Sequence, residues 1–283
     1  MTARDEFMEV DGARLRIRVA GQGSPLLLVH GWALDLDMWT PQLVALAARY
    51  RVVTFDRRGF GSSTGQPAIE RDVDDLATLT ATLGIERCAV LGMSQGARVA
   101  LRWALRHPGR TWALVLDGPP PGLVAQAAAH QQEIPLDHYR ELLRREGVEA
   151  VRRAWLAHPL MQLHTVDARR RALLHRIIAR YPAGDLSAHA PGMPLPRADL
   201  RVLQVPTLVI NGARDSAARR AAGAELARLL PNARSVAIAG AGHLSNLDRP
   251  GAYNRTVIEF LAGQPLGAPN FHGSEHRRAG HAE

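Results

Sequence analysis

Short apolar runs alternate along the chain with longer segments in which apolar residues recur at helical spacing. The short runs predict strands and the longer segments predict helices. Strands are predicted at 14–20, 25–29, 51–55, 88–92, 111–117, 205–211 and 235–239. Helices are predicted at 38–50, 70–83, 95–107, 216–230 and 250–261. This alternation is typical of an α/β fold with a doubly wound, mostly parallel sheet that is covered by helices on both faces.

The stretch from 120 to 200 interrupts the alternation. It opens after Pro119 with further prolines, closes with the proline-rich segment 191–196, and contains an apolar stripe of helical period at 167–181. We therefore predict an inserted helical cap. The resulting organisation is a core formed by 1–119 and 201–262, a cap formed by 120–200, and a disordered tail at 263–283, which has no apolar period.

A serine lies between two glycines at the junction of a predicted strand and a predicted helix. Residues 92–96 read Gly-Met-Ser-Gln-Gly, directly after the apolar run that starts at Cys88. A sharp strand-to-helix turn lifts a serine hydroxyl clear of the sheet, and the glycines keep that turn free of Cβ clashes. The pattern predicts that Ser94 is a nucleophile.

Partners for this serine follow two later strands. Asp215 comes just after the run ending at Gly212, and His243 lies in the glycine-lined loop after the run ending at Ala239. A neutral imidazole takes the hydroxyl proton, and a carboxylate on its other nitrogen stabilises the imidazolium. Asp117, after the strand Thr111 to Leu116, is an alternative acid, and Asp215 could instead cap the following helix. The order Ser94, Asp215, His243 is favoured.

These motifs together resemble the α/β-hydrolase superfamily over roughly residues 14–262. The resemblance is carried by His30-Gly31-Trp32, by Asp56 to Ser63, by the serine motif, by Gly212 to Asp215, and by Gly242-His243. The stretch from His30 to Gly61 is similar to small bacterial arylesterases, to cofactor-free haloperoxidase or perhydrolase relatives, and to enol-lactonases.

The resemblance implies roles for further residues. The backbone N–H groups of Trp32 and Gln95 would form the oxyanion hole, and His30 would organise the oxyanion loop rather than act as the base. Ala97 stands where relatives often have a glycine, which a helix tolerates. Trp155, Leu160 and Met161 in the cap are candidates for the substrate pocket, as cap residues are in relatives.

The charge and composition of the chain limit the kinds of partner that we expect. The 283-residue chain carries a net charge of +8, and all 35 of its basic residues are arginine. These arginines are scattered among acidic residues, so a specific nucleic-acid partner is not expected. No metal-ligand spacing, nucleotide-binding loop, signal core or bilayer-length apolar run appears, which predicts no cofactor, no metal, no membrane contact and a cytoplasmic location. Cys88 is interpreted as a structural thiol.

The sequence therefore predicts a serine hydrolase that cleaves a small carboxylic ester or lactone through an acyl-enzyme. Three alternatives stay open within the same fold: perhydrolase or haloperoxidase-type activity, C–C bond hydrolysis, and a non-catalytic small-molecule receptor. An interaction protein that binds polyanions through the arginines of the cap ranks below these. The oligomeric state is left open.

Overall fold

A single eight-stranded sheet organises the molecule. The computed structural model describes residues 4–125, 133–187 and 193–264. The strands run in the spatial order β1-β2-β4-β3-β5-β6-β7-β8. They are β1 (Asp5–Val10), β2 (Ala13–Ala20), β3 (Pro25–Val29), β4 (Arg51–Phe55), β5 (Cys88–Met93), β6 (Thr111–Asp117), β7 (Thr207–Gly212) and β8 (Ala233–Ile238). β2 is antiparallel to both of its neighbours, β1 and β4. All other neighbouring strands, from β4 across to β8, are parallel. The predicted fold class is confirmed.

Helices cover both faces of the sheet and fill the segment between β6 and β7. They are α1 (Thr40–Ala47), α2 (Ile69–Thr82), α3 (Gln95–Arg106), α4 (Leu136–Glu146), α5 (Val148–Ala157), α6 (Ala168–Ala179), α7 (Arg197–Val202), α8 (Ala217–Leu229), α9 (Ser245–Asp248) and α10 (Pro250–Ala262). In the central strands consecutive side chains enter opposite apolar clusters. Leu26 and Leu28 pack with residues of α1, α10 and the cap, whereas Leu27 and Val29 pack with α2, α3 and α8.

The sequence pattern missed β1 and misplaced the ends of some elements. Residues 5–10 are exposed or half-buried, so they lack the continuous apolar run that marks the central strands. β7 begins at Thr207 rather than at 205, because Pro206 has no N–H to donate to a neighbouring strand. The helix predicted at 216–230 begins at Ala217, after the cap residue Ser216.

Helices α4, α5 and α6 form the cap over the sheet edge that follows β3, β5 and β7. Leu195 and Leu200, near the end of the segment predicted as cap, instead pack in the apolar cluster that contains α3 and α8. The tail from 265 onward lies outside the described residues. None of the helices in the described ranges combines the length and apolarity that crossing a bilayer would need.

Candidate active site

Ser94 sits in a backbone conformation that non-glycine residues seldom adopt. Its φ of 54° and ψ of −115° place it at the turn between β5 and α3. Such a conformation costs on the order of 1–3 kcal/mol and persists at functional sites where the surrounding structure enforces it. Here the Ser94 N–H donates to the Asp117 carbonyl at 2.7 Å, which anchors the turn to β6.

The two glycines of the serine motif are required by close backbone approach. A Cβ at Gly92 would lie 2.1 Å from the Gly96 carbonyl oxygen, and a Cβ at Gly96 would lie 2.2 Å from the Val29 carbonyl oxygen. Neither distance is compatible with a side chain. Ala97, the departure from the family pattern, is accommodated in α3 with its methyl fully buried.

His243 lines the same cavity as Ser94 and is paired with Asp215. Its Nδ1 lies 3.1 Å from Asp215 Oδ2, while Asp215 Oδ1 accepts the Ser216 N–H at 2.8 Å. Burial, and secondarily the nearby Arg219, lower the pKa of His243, so the imidazole is neutral at pH 7. The interaction with His243 in turn keeps the pKa of Asp215 low despite its burial.

Asp117, the alternative acid, contacts a different partner. Its Oδ1 accepts the Ser245 hydroxyl at 3.1 Å, and burial raises its pKa to about 8. A carboxyl group with that pKa is neutral at pH 7 and cannot stabilise an imidazolium as a carboxylate does. Ser216 caps α8, accepting the Arg219 N–H at 3.2 Å, so the helix-cap interpretation of Asp215 is wrong.

The loop after β3 packs directly against the serine turn. A Cβ at Gly31 would lie 2.8 Å from Met93 Sδ and 3.3 Å from Ser94 Cβ, so the loop backbone is in contact with the nucleophile candidate. The structure gives neither the Trp32 N–H nor the Gln95 N–H an acceptor among the described residues. Gln95 directly follows Ser94 in the chain, and Trp32 lines the same cavity as Ser94.

His30 and Trp32 hold this loop in place. The backbone N–H of Arg57 donates to His30 Nε2 at 2.9 Å, and His30 Nδ1 contacts the Gly31 carbonyl at 2.8 Å. Burial, followed by the charge of Arg57, lowers the pKa of His30 to about 3, so it stays neutral. The Trp32 indole N–H donates to Asp185, which connects the loop after β3 to the cap.

The cavity above Ser94 is small and mostly apolar. The candidates Trp155, Leu160 and Met161 all line it, together with Trp32 and other side chains of the loop, the sheet and the cap. Its free volume is about 10 Å³, room for roughly one water molecule. The enclosed space in this structure is therefore smaller than an ester substrate.

Sequence reasoning missed Arg219, which lines the same cavity. Its Nη1 donates to Ser94 Oγ and to the Gly118 carbonyl, each at 2.9 Å, and its Nε donates to Glu133 at 2.7 Å. In this structure the hydroxyl of Ser94 thus contacts Arg219, and no hydrogen bond between Ser94 and His243 is present among the described residues. One signal was available: Arg219 lies four positions after Asp215, in the first turn of α8.

Cys88, which the sequence suggested as a structural thiol, does not line this cavity. Burial raises the pKa of the Cys88 thiol to about 12, which makes it a poor nucleophile. Within residues 4–125, 133–187 and 193–264 there is no group of three or more His, Cys, Asp or Glu side chains that could hold a metal ion.

Comparison with known proteins agrees with this architecture. The sequence pattern of the α/β-hydrolase fold family matches residues 24–250, and the chain belongs to that family. It is a hydrolase. The chain is 30% identical to a pimeloyl-[acyl-carrier protein] methyl ester esterase of Aeromonas hydrophila, over 85% of this chain and 96% of that protein.

Two further similarities broaden the range of activities among its relatives. A non-heme haloperoxidase of Rhodococcus erythropolis is 30% identical over 89% of this chain and 97% of its own length. The crystal structure of an enol-lactonase from Burkholderia xenovorans superposes with a TM-score of 0.78 at 28% identity, covering 91% of this chain and all of that one. The resemblance noted from the motifs is confirmed.

Proposed function

We propose that this chain is a serine hydrolase that cleaves a small carboxylic ester or lactone through an acyl-enzyme, with Ser94, His243 and Asp215 as its triad. The observation that carries the proposal is the position of Ser94. It occupies a strained turn at the carboxyl end of β5 and shares one apolar cavity with a neutral His243 bonded to Asp215. Relatives named as esterases and an enol-lactonase support the same chemistry.

The first half of the reaction forms the acyl-enzyme. Ser94 Oγ attacks the carbonyl carbon while His243 Nε2 takes the hydroxyl proton, and Asp215 stabilises the imidazolium. The carbonyl oxygen becomes an oxyanion between the N–H groups of Trp32 and Gln95, each worth roughly 3 kcal/mol of transition-state stabilisation. The bond from carbonyl carbon to alcohol oxygen then breaks, and the imidazolium proton leaves with the alcohol.

The second half regenerates the enzyme. His243 removes a proton from a water molecule, whose oxygen attacks the acyl carbonyl, and the collapse of the second tetrahedral intermediate releases the carboxylic acid and restores the Ser94 hydroxyl. Ser94 must turn from Arg219 toward His243 before the first attack. Catalytic hydrogen bonds are often formed only when substrate is bound.

The relative named as a haloperoxidase supports a second activity on the same acyl-enzyme. Hydrogen peroxide in place of water would attack the acyl carbonyl and release a peracid, with the proton passing to His243 as before. The partition of acyl groups between acid and peracid, measured with and without added peroxide, separates this activity from hydrolysis.

The proposal is tested by hydrolysis of a panel of aryl esters, alkyl esters and five- and six-membered lactones, with Ser94→Ala as the matched variant. We expect the wild type to hydrolyse members of the panel and Ser94→Ala to lose roughly 10⁴-fold or more in kcat. A serine-directed phosphonate should add its mass to the wild type and not to Ser94→Ala. Turnover by Ser94→Ala at the wild-type rate would refute the assignment. No adduct on a folded wild type would favour a receptor.

A further inference from the structure

The feature that the proposed mechanism does not use is the guanidinium of Arg219. It is a cation that is only 1% exposed, and it touches the hydroxyl of Ser94. Its Nε edge is neutralised by Glu133, whose other carboxylate oxygen accepts the Ser216 hydroxyl. Among the described residues, Nη1 has two acceptors, and both are neutral: Ser94 Oγ and the Gly118 carbonyl. Within that part of the chain, no carboxylate is bonded to the edge of Arg219 that meets the nucleophile candidate.

A cation in this place opposes the reaction of an uncharged substrate. The transition state carries an imidazolium on His243, and Arg219 is the nearby charge that disfavours protonation of that ring. Arg219 also holds the Ser94 hydroxyl that must turn toward His243. Asp215 and Glu133 favour protonation of His243 and offset part of this effect. The other side chains that line the cavity are apolar or aromatic and add no further compensation.

Both effects are removed by a substrate that brings its own anion. A carboxylate bound to Nη1 of Arg219 would displace Ser94 Oγ and free its hydroxyl for His243. It would also offset the positive charge next to the imidazolium, so that the benefit persists in the transition state and raises kcat. Guanidinium and carboxylate form short, charge-assisted hydrogen bonds, which are stronger than the contacts of Nη1 to neutral oxygens.

The distances limit where that carboxylate lies on the substrate. Ser94 Oγ is 2.9 Å from Nη1. A carbonyl carbon ready for attack lies about 3–3.5 Å from the nucleophile, so Nη1 is at most roughly 6.5 Å from it. A carboxylate in hydrogen-bond contact with Nη1 is then separated from the scissile carbonyl by about two to four methylene groups.

We propose that Arg219 is a substrate-binding residue that selects esters or lactones carrying a free carboxylate near the scissile carbonyl, such as monoesters of short dicarboxylic acids. This inference rests on the proposed function, because it assumes acyl transfer to Ser94. It assigns to the site a class of substrate that an apolar cavity alone would disfavour.

The test compares two para-nitrophenyl esters of equal size. One is the monoester of glutaric acid, and the other has an isopropyl group in place of its carboxylate. After subtraction of the rate with Ser94→Ala, which corrects for self-cleavage of the monoester, we expect the wild type to prefer the anionic ester in kcat/KM by about tenfold or more. Arg219→Gln should lower this preference by about 10- to 100-fold, mainly by lowering kcat for the anionic ester.

Arg228→Gln is the matched control, because it removes the same charge from the exposed end of α8. It should leave the preference unchanged. A wild type that prefers the neutral ester, or an unchanged preference in Arg219→Gln, would overturn the role of Arg219 while leaving the proposed hydrolysis intact. Failure to hydrolyse either ester would instead count against the proposed function.

A binding measurement decides the role of Arg219 without turnover, and also if Arg219→Gln does not fold. In calorimetric titrations of the wild-type protein, glutarate should bind at least about tenfold more tightly than its uncharged diamide. Equal affinity of the two compounds, or no binding of either, would overturn the proposal.

Discussion

The sheet edge that carries the proposed triad and the cap that covers it are held by different kinds of contact. At the sheet edge, backbone meets backbone: besides the contacts of the serine turn, a Cβ at Gly212 would lie 1.9 Å from the Gly242 carbonyl oxygen. The cap is attached through side chains, both by apolar packing of residues such as Trp155 against Trp32 and by long charged side chains. Arg180, at the end of α6, contacts Asp35 and Asp37, and Arg170 donates to the carbonyls of Leu247 and Asp248.

This difference between backbone packing and side-chain contacts predicts how substitutions in the two regions affect catalysis. Where backbones are in close contact, neither segment can shift without a clash. The positions of Ser94, Asp215 and His243 are therefore fixed by the strands that precede them. Side-chain contacts can shift by a change of rotamer, so we expect the cap to adjust to a new acyl group more readily than the sheet edge does. We expect substitutions at the sheet edge to act on kcat and on stability, and substitutions in the cap contacts to act mainly on KM.

Asp248 joins the two regions. Its Oδ1 accepts the backbone N–H groups of His164 and Thr165 in the cap, at 2.6 and 3.0 Å, and its Oδ2 accepts the Gly242 N–H at 2.8 Å. One buried carboxylate therefore positions both a cap segment and the loop of His243. The cap is anchored firmly at this point and more adjustably at Arg180.

The largest expected effect separates the two carboxyl groups at the sheet edge. Asp215→Asn should lower kcat by about 10³- to 10⁴-fold, because the amide cannot stabilise the imidazolium of His243. Asp117→Asn should retain kcat within about tenfold, because Asp117 does not contact His243 and its raised pKa of about 8 already keeps it neutral at pH 7. Steady-state kinetics on one ester checks both variants. An equal loss in both would mean that Asp117 shares the role of the acid.

The next largest effect tests how tightly the backbone is packed at the serine turn. Gly96→Ala should lower the free energy of unfolding by about 3 kcal/mol and reduce kcat, because the new methyl meets the Val29 carbonyl and displaces the Gln95 N–H. Gly109→Ala is the matched control, since a Cβ there meets nothing within 4 Å. Denaturant unfolding and kinetics measure both quantities. Wild-type stability and kcat in Gly96→Ala would contradict the comparison drawn between sheet and cap.

The smallest effect concerns the cap contact of Arg180. Its side chain is 37% exposed, so solvent screens the pair with Asp35 and Arg180→Gln should cost only about 1 kcal/mol of stability. KM should rise several-fold with kcat nearly unchanged, as the cap loosens. Arg169→Gln, on the exposed side of α6, is the control.

The cost of losing Arg180 should depend on pH in a known direction. Burial, with the neighbouring Asp56 as a second cause, raises the pKa of Asp35 to about 6, so the native state holds this proton more tightly than the unfolded chain does. Ionisation of Asp35 therefore lowers stability as the pH rises through 6, and Arg180 reduces that loss. The stability difference between wild type and Arg180→Gln should be small at pH 5 and larger at pH 8. The opposite trend would show that the contact is not an ion pair.

Much of the fold was predictable because its signals are local. The bounds of β3, β4 and β6 follow from short continuous apolar runs, since strands buried on both faces need apolar side chains at every position. Edge strands carry weaker signals: β1 was missed, and β8 begins two residues earlier than predicted, at Ala233, because its first residues are largely exposed. Ser94 was recognisable because the glycines around it are required by the turn itself.

Only the tertiary structure decided which side chains meet. Asp117 is the last residue of β6 and Asp215 follows the neighbouring strand β7, so spacing alone cannot tell which carboxyl group turns toward His243. Arg219 is one arginine among many in a chain without lysine. Its contact with Ser94, 125 positions earlier, exists because β5, β7 and the start of α8 converge at one edge. Sequence determines local conformation through sterics and apolar periodicity, but contacts between distant side chains depend on how whole elements pack.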